Sequence, residues 1–128
     1  MKTEKQNVGK RGEDEACFHL KKLGHAIVAR NWRNSHKELD IVSLLGNEIH
    51  IVEVKSRTAP AAASPELNVN RDKQRKLTAA GLAFLHSGEC RALGLTDPEV
   101  FFDVITVIFD DDRTELEYYP KAFIPIYV

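Results

Sequence analysis

The sequence predicts an α/β or α+β chain, a central mixed sheet with helices packed against it, and three observations carry that expectation. Apolar residues recur at helical spacing in segments 8–23 and 71–88. Runs rich in Val, Ile and Phe at 25–33, 38–56 and 100–109 read as strands. The elements follow in the order helix, three strands, helix, strand, which suits a mixed sheet covered by helices.

The first helix rests on Ala16, Leu20 and Leu23, with Gly24 placed to end it in a left-handed cap. Extended backwards, its inward stripe reaches Glu13, a carboxylate on the core-facing side. The helix dipole favours an anion there; the sharper reading is that Glu13 points into a site built against the sheet. Glu15, about 200° further round a 3.6-residue period, is the solvent residue. HAIVARNWR (25–33) is the first strand, NSHK a polar turn, and ELDIVSLLGNEIHIVEVKS (38–56) a hairpin turning at Gly46-Asn47. SRTAPAAASPELNVN reads as a mobile loop, and the second helix buries Leu77, Ala80, Gly81, Phe84 and Leu85 before ending at Gly88. VFFDVITVIF (100–109) has the apolar bias of a buried strand, DDDR is a turn, and LEYY is a further strand or edge segment. Pro120 and Pro125 leave PKAFIPIYV irregular, and no internal repeat is visible.

With 128 residues, 43% apolar and 29% charged, the chain is expected to form a single domain over 1–128. No apolar run approaches the roughly 20 residues of a membrane helix, and the N-terminus lacks a secretory apolar segment, so a cytoplasmic location is expected. Cys17 and Cys90 are far apart and belong to no CxxC or Cys/His cluster, which predicts reduced, packed thiols rather than a zinc site. Net charge is only −1, yet residues 1–76 hold 15 Lys and Arg against 10 Asp and Glu, while residues 77–128 hold 3 against 9. A polyanion would meet the first part; a solvated helix surface explains the same charges equally well.

The hairpin raises a question of chemistry. A two-residue turn at Gly46-Asn47 pairs Leu45 with Glu48, so facing positions sum to 93, Asp40 opposes Glu53 and Glu38 opposes Lys55. Alternation then puts Glu38, Asp40, Val42, Ile51, Glu53 and Lys55 on one face, with Leu39, Ile41, Val52 and Val54 forming the apolar one. Opposed carboxylates repel unless something positive or neutral stands between them, and a pair so placed can share one divalent cation. Lys55, which has donors and no lone pair, could instead orient an attacking water or stabilise charge on a phosphate. The alternative is an exposed Glu38–Lys55 salt bridge beside solvated acids, worth roughly 0–1 kcal/mol and needing no function.

Asp40 followed by Glu53-Val54-Lys55 resembles the PD...(D/E)xK signature of restriction-endonuclease-like nucleases, with Leu39 standing where the signature has proline. More specifically, GKRGEDEA (9–16), LGHAIVARNWR (23–33), ELDIV (38–42), IVEVKSR (51–57), KQRKL (73–77) and FDVITV (102–107) together resemble the bacterial YraN family of predicted endonuclease-like proteins. The resemblance implies a restriction-endonuclease-like core in the order α-β-β-β-α-β. It also implies a catalytic set of Asp40, Glu53, Lys55 and Glu13, with Asp40 and Glu53 as ligands of Mg²⁺ or Mn²⁺. Lys73 and Gln74 match polar positions of the family's second helix. Lys37 stands where the family often has glycine and Phe101 where it often has arginine, so a phosphate contact at the latter is not expected.

Among the remaining residues, Arg30, Arg33, Arg57, Lys73, Gln74 and Lys76 are the nucleic-acid contacts expected, and Arg71 and Arg75 extend the basic start of the second helix. Trp32 reads as a core or rim anchor, and His50, opposite Ser43, as a structural hydrogen-bonding residue. No HxH, HExxH, Walker, GxGxxG or GxSxG pattern occurs. The leading expectation is a Mg²⁺-dependent nuclease acting on DNA, branched or repair-intermediate structures included, and a symmetric homodimer is compatible with it. A nucleic-acid-binding module without turnover, and an interaction protein whose acids are only surface, are the alternatives.

Overall fold

The computed structural model describes residues 3–59 and 69–124. Helix α1 (Glu4–Lys22) starts four residues before the apolar stripe, because a polar device sets its beginning. Thr3 Oγ1 accepts the Gln6 N–H at 3.2 Å, and Gln6 Oε1 accepts the Thr3 N–H at 2.9 Å, a reciprocal capping box. Its buried stripe is Gly12, Ala16, Cys17 and Leu20, whereas Leu23, expected inside, is the half-exposed C-cap. Gly24, at φ +96°, makes the turn into the sheet.

The strands are β1 (Ala26–Asn34), β2 (Lys37–Leu45), β3 (Glu48–Thr58), β4 (Glu99–Asp110) and β5 (Arg113–Phe123), adjacent in that order in one sheet. Neighbours run antiparallel except β3 and β4, which are parallel. The crossover between those two carries α2 (Arg71–Leu85) and a short α3 (Gly88–Arg91). The Ala-, Pro- and Ser-rich stretch expected to be a mobile loop falls largely at 60–68, and Pro125 lies in 125–128; both are outside the described residues. The segment expected to be irregular after LEYY instead continues β5 to Phe123. β5 is an edge strand, where Pro120 need not donate to a ladder, and Lys121 at φ +55° takes up the irregularity. The architecture is a five-stranded mixed sheet flanked by helices, consistent with a restriction-endonuclease-like α/β core.

Both broad faces of the sheet are buried. On one, Ala16 and Leu20 of α1 pack on Ile41, Val52, Ile105 and Val107; on the other, Leu77, Ala80 and Phe84 of α2 pack on Trp32, Leu39, Val42, Ile51, Phe102 and Val104. Each such side chain removed from water stabilises the fold by about 1.5–3 kcal/mol. This corrects the expected division of the hairpin into an apolar face and a chemical one: Val42 and Ile51 are as deeply buried as Ile41 and Val52. Alternation also slips at Asp40, since Leu39 and Ile41 enter opposite cores. Both cysteines are free and buried, as expected. Among the described residues, no helix is long and apolar enough to cross a membrane.

Candidate active site

The hairpin register is the one the turn dictates: Leu45 faces Glu48, Ser43 faces His50, and Ile41 faces Val52. There the ladder stops. Asp40 Oδ2 accepts the Val54 N–H at 2.9 Å, taking a bond that a continuing strand would have given to a backbone carbonyl. Beyond that point β3 runs on to Thr58 against β4, while β2 pairs only with β1. The acids of the motif therefore lie at a fork where two buried strands part.

At the fork the Glu53 side chain, only 13% exposed, is hydrogen-bonded to Asp40. Burial first, and the neighbouring Asp40 charge second, raise the Glu53 carboxyl from 4.5 to about 8. Lys73 Nζ, 3.7 Å from Glu53 Oε2, and the Lys55 ammonium pull in the other direction and lose. The pair thus retains a proton near neutral pH, and that proton offsets the repulsion between the two carboxyls.

Glu13 approaches from α1. Its side chain is 16% exposed, and burial, then Asp40, raise its carboxyl above the ordinary range. Asn31 Nδ2 donates to Glu13 Oε1 at 3.0 Å, and an Arg30 guanidinium nitrogen lies 3.6 Å from the same oxygen. Arg30 is also bound to Asp14 at 2.8 Å, and Lys10 to Asp14 at 3.2 Å. Asn31 was not singled out from the sequence. It holds φ +49° within β1, a left-handed conformation that asparagine tolerates better than most residues, and an Asn inside an otherwise strand-like run was the available signal.

The expected partnership of Glu38 with Lys55 does not form. Glu38 faces Arg33, with Nε to Oε2 at 3.5 Å and the two side chains 60% and 74% exposed, because the β2–β3 ladder has already ended. Lys55 is half-buried at the fork and acts on Glu53. Gln74 donates one Nε2 hydrogen to the Val69 carbonyl at 2.7 Å, which leaves the second amide hydrogen for a ligand. Lys76 lies 3.3 Å from Asp72 on the exposed side of α2.

Two clefts flank the first turns of α1. One, about 550 Å³, is lined by Gln6, Lys10, Glu13, Arg30, Asn31 and Arg33. The other, about 930 Å³, runs between α1 and the end of β3 and includes Lys5, Lys55 and Arg57. The expected set is therefore divided: Glu13, Asp40, Glu53, Lys55 and Lys73 converge on the fork, Arg30 and Arg33 line one cleft, and Arg57 lines the other. Asp40 and Glu53 are the pair that could hold a divalent cation.

His50 is structural in the way expected, although its partners are not. Its Nδ1 lies 2.6 Å from Asp103 Oδ2 and its Nε2 2.9 Å from Glu48 Oε1. Tyr118 donates to Asp103 Oδ2 at 2.5 Å, the Lys121 N–H to Oδ1 at 2.9 Å, and His25 pairs with Ser43 at 2.8 Å. This network closes the α1 side of the sheet at the end away from the fork.

Comparison with known proteins covers most of the chain. The model of the uncharacterised protein family UPF0102 matches residues 12–107, spanning Glu13, the fork and β4 as far as Val107. A UPF0102 protein of Bacteroides thetaiotaomicron is 38% identical over 95% of this chain and 96% of its own length. Others from Desulfosudis oleivorans (37%, covering 91% and 90%) and Geobacter metallireducens (35%, covering 96% and 97%) are similar over comparable spans. The chain belongs to the UPF0102 family, the YraN family whose sequence pattern it resembles.

Proposed function

We propose that the protein is a divalent-metal-dependent nuclease that hydrolyses phosphodiester bonds in DNA, branched and repair-intermediate structures being the substrates to test first. The observation that carries the reading is the placement of Asp40 and Glu53 side by side where a buried sheet opens, with Lys55 close enough to act on Glu53. The donor set fits Mg²⁺, with Mn²⁺ as a substitute. Mg²⁺ is commonly held by one or two carboxylates, with waters and substrate phosphates filling the octahedron. Asp40 and Glu53 would hold it, and the raised carboxyl of Glu53, buried beside Asp40, marks a place where positive charge is wanted. When bound, the ion supplies Lewis-acid charge to the scissile phosphate.

The chain's own groups do the rest. Lys55 donates toward the attacking water and the phosphate oxygens, opposing the negative charge that builds as the new P–O bond forms and the old one breaks. Glu13, steered by Asn31, faces Asp40 from α1 and holds a proton or a water at that side of the pair. Lys73 balances Glu53, and Arg30, Arg33, Arg57 and Lys76 contact flanking phosphates. The setting is the cytoplasm, where DNA is the partner.

A second reading, a nucleic-acid-binding module without turnover, is favoured by one observation. Among the described residues, no three His, Cys, Asp or Glu side chains gather closely enough to form a ready-made metal site. Cleavage of linear, flapped and branched DNA with Mg²⁺ and Mn²⁺ separates the two. Asp40→Asn can still accept the Val54 N–H, so the fold should persist while cleavage disappears. Product formed equally by wild type and Asp40→Asn removes Asp40 from the mechanism, and binding without product under either metal favours the module.

A further inference from the structure

We infer that the groove between α1 and the edge that β3 presents beyond its pairing with β2 binds consecutive phosphates of one nucleic-acid strand on its way to or from the fork. The inference rests on the nuclease reading only for the direction in which the strand is taken to run. Three observations support it.

The first is backbone geometry. β3 loses β2 after Val52 but stays paired with β4 as far as Thr58, so its last six residues present an edge without a β2 partner. N–H directions alternate along a strand. The Val54 N–H points across this edge to Asp40, and the Ala59 N–H points the other way, to the Phe109 carbonyl at 2.7 Å. The N–H groups of Ser56 and Thr58 therefore face the same edge as that of Val54, and backbone amides are phosphate donors.

The second is charge. The groove has a volume of about 930 Å³, and among the described residues that line it are the cations Lys5 and Arg57 and the acid Glu4. Four cations elsewhere lie within 3.5 Å of a carboxylate: Lys10 and Arg30 on Asp14, Arg33 on Glu38 and Lys76 on Asp72. Among the described residues, Lys5 and Arg57 make no ion pair, and both are exposed. Those four are compensated in charge, whereas Lys5 and Arg57 leave positive charge in the groove.

The third is continuity. Val54 and Lys55 belong both to the motif and to the groove wall, so a phosphate at Asp40 and Glu53 has its neighbours along β3. Amides and flexible cations read phosphate rather than base edges, so binding here is indifferent to sequence and sensitive to salt.

The test is salt-dependent binding of a fluorescent single-stranded DNA oligonucleotide, measured by anisotropy in EDTA with full-length protein carrying Asp40→Asn to prevent cleavage. Adding Lys5→Gln and Arg57→Gln should lower the slope of log affinity against log salt by about 1.4, two contacts at roughly 0.7 each for a single strand. Adding Lys5→Glu and Arg57→Glu should weaken binding further, and thermal melts check that these exposed changes leave the fold intact. Lys21→Glu with Arg113→Glu alters total charge equally, away from the groove, and should change affinity much less. An unchanged slope in the Gln pair, or an equal loss in the Lys21 and Arg113 control, overturns the inference. A lowered slope in a protein that cleaves nothing with Mg²⁺ or Mn²⁺ leaves the groove standing and removes the nuclease reading. Asp40-dependent cleavage with an unchanged slope does the reverse.

Discussion

Replacing Glu53 with glutamine should make the metal-free protein more stable at pH 8 and leave it nearly unchanged at pH 5. Below about pH 4.5 the Glu53 carboxyl is protonated whether the chain is folded or not. From there to about 8 the unfolded chain gives up the proton while the folded pair keeps it, so wild-type stability falls as pH rises and the loss is complete above the folded value. The interval from 4.5 to about 8, at about 1.4 kcal/mol for each pH decade, corresponds to a loss on the order of 5 kcal/mol. Glutamine imitates the protonated form in shape and can donate to Asp40, so it carries no such penalty. Denaturant unfolding in EDTA across pH 5 to 9 reads the difference, and His50, which also titrates, cancels between the two proteins. Stability curves that run parallel would refute the shared-proton account of the fork. In the wild type, Mg²⁺ uptake below pH 8 should release protons, which calorimetry in buffers of different ionisation enthalpy detects.

Other consequences are more local. Asp103→Ala strips His50, Tyr118 and the Lys121 N–H of a common acceptor and should cost about 3–5 kcal/mol in urea unfolding, as when one member of a buried charged pair is removed. His50 is penalised by burial, yet its bonds to Asp103 and Glu48 raise its pKa overall. The stability it contributes is therefore full below about 6.5 and lost as pH rises through the folded value, a slope that His50→Gln should abolish. Gly12→Ala would set a Cβ 2.6 Å from Ser56 Cβ and Oγ, costing roughly 1–3 kcal/mol by overpacking; adding Ser56→Gly should recover most of it in the same assay. Trp32 packs edge-on to Phe84 with ring centroids 5.4 Å apart, so Trp32→Ala should cost about 3–5 kcal/mol, while wild-type tryptophan fluorescence should shift to the red on unfolding.

The hairpin was the most legible part of the sequence, because a two-residue turn fixes register and Gly46-Asn47 announced one; Leu45 opposite Glu48 and Ile41 opposite Val52 followed. Where pairing ends was not legible. It depends on Asp40 capturing the Val54 N–H, a local choice between side chain and strand that leaves no periodic trace, and Glu38 consequently found Arg33 instead of Lys55. Thr3 and Gln6 set the start of α1 without any apolar signal, so a stripe-based reading began too late. Pro120 suggested the end of order, yet an edge strand has no ladder on one side for it to spoil. The Asp103 network joins β3, β4 and β5, and residues so far apart in sequence reveal their company only in the folded chain.

Helices occupy both broad surfaces of this sheet, so a visitor as bulky as a polymer can reach Asp40 and Glu53 only from the rim. An edgewise doorway of that kind favours long, thin guests over flat ones. It also anchors Asp40 and Glu53 in a frame clamped on two sides: β3 cannot swing without dragging β4, and Asp40 cannot retreat without surrendering its grip on Val54. Selectivity would then reside in the doorway's width, and insertions near Thr58 or at the start of α1 could change which guests enter while leaving the frame untouched.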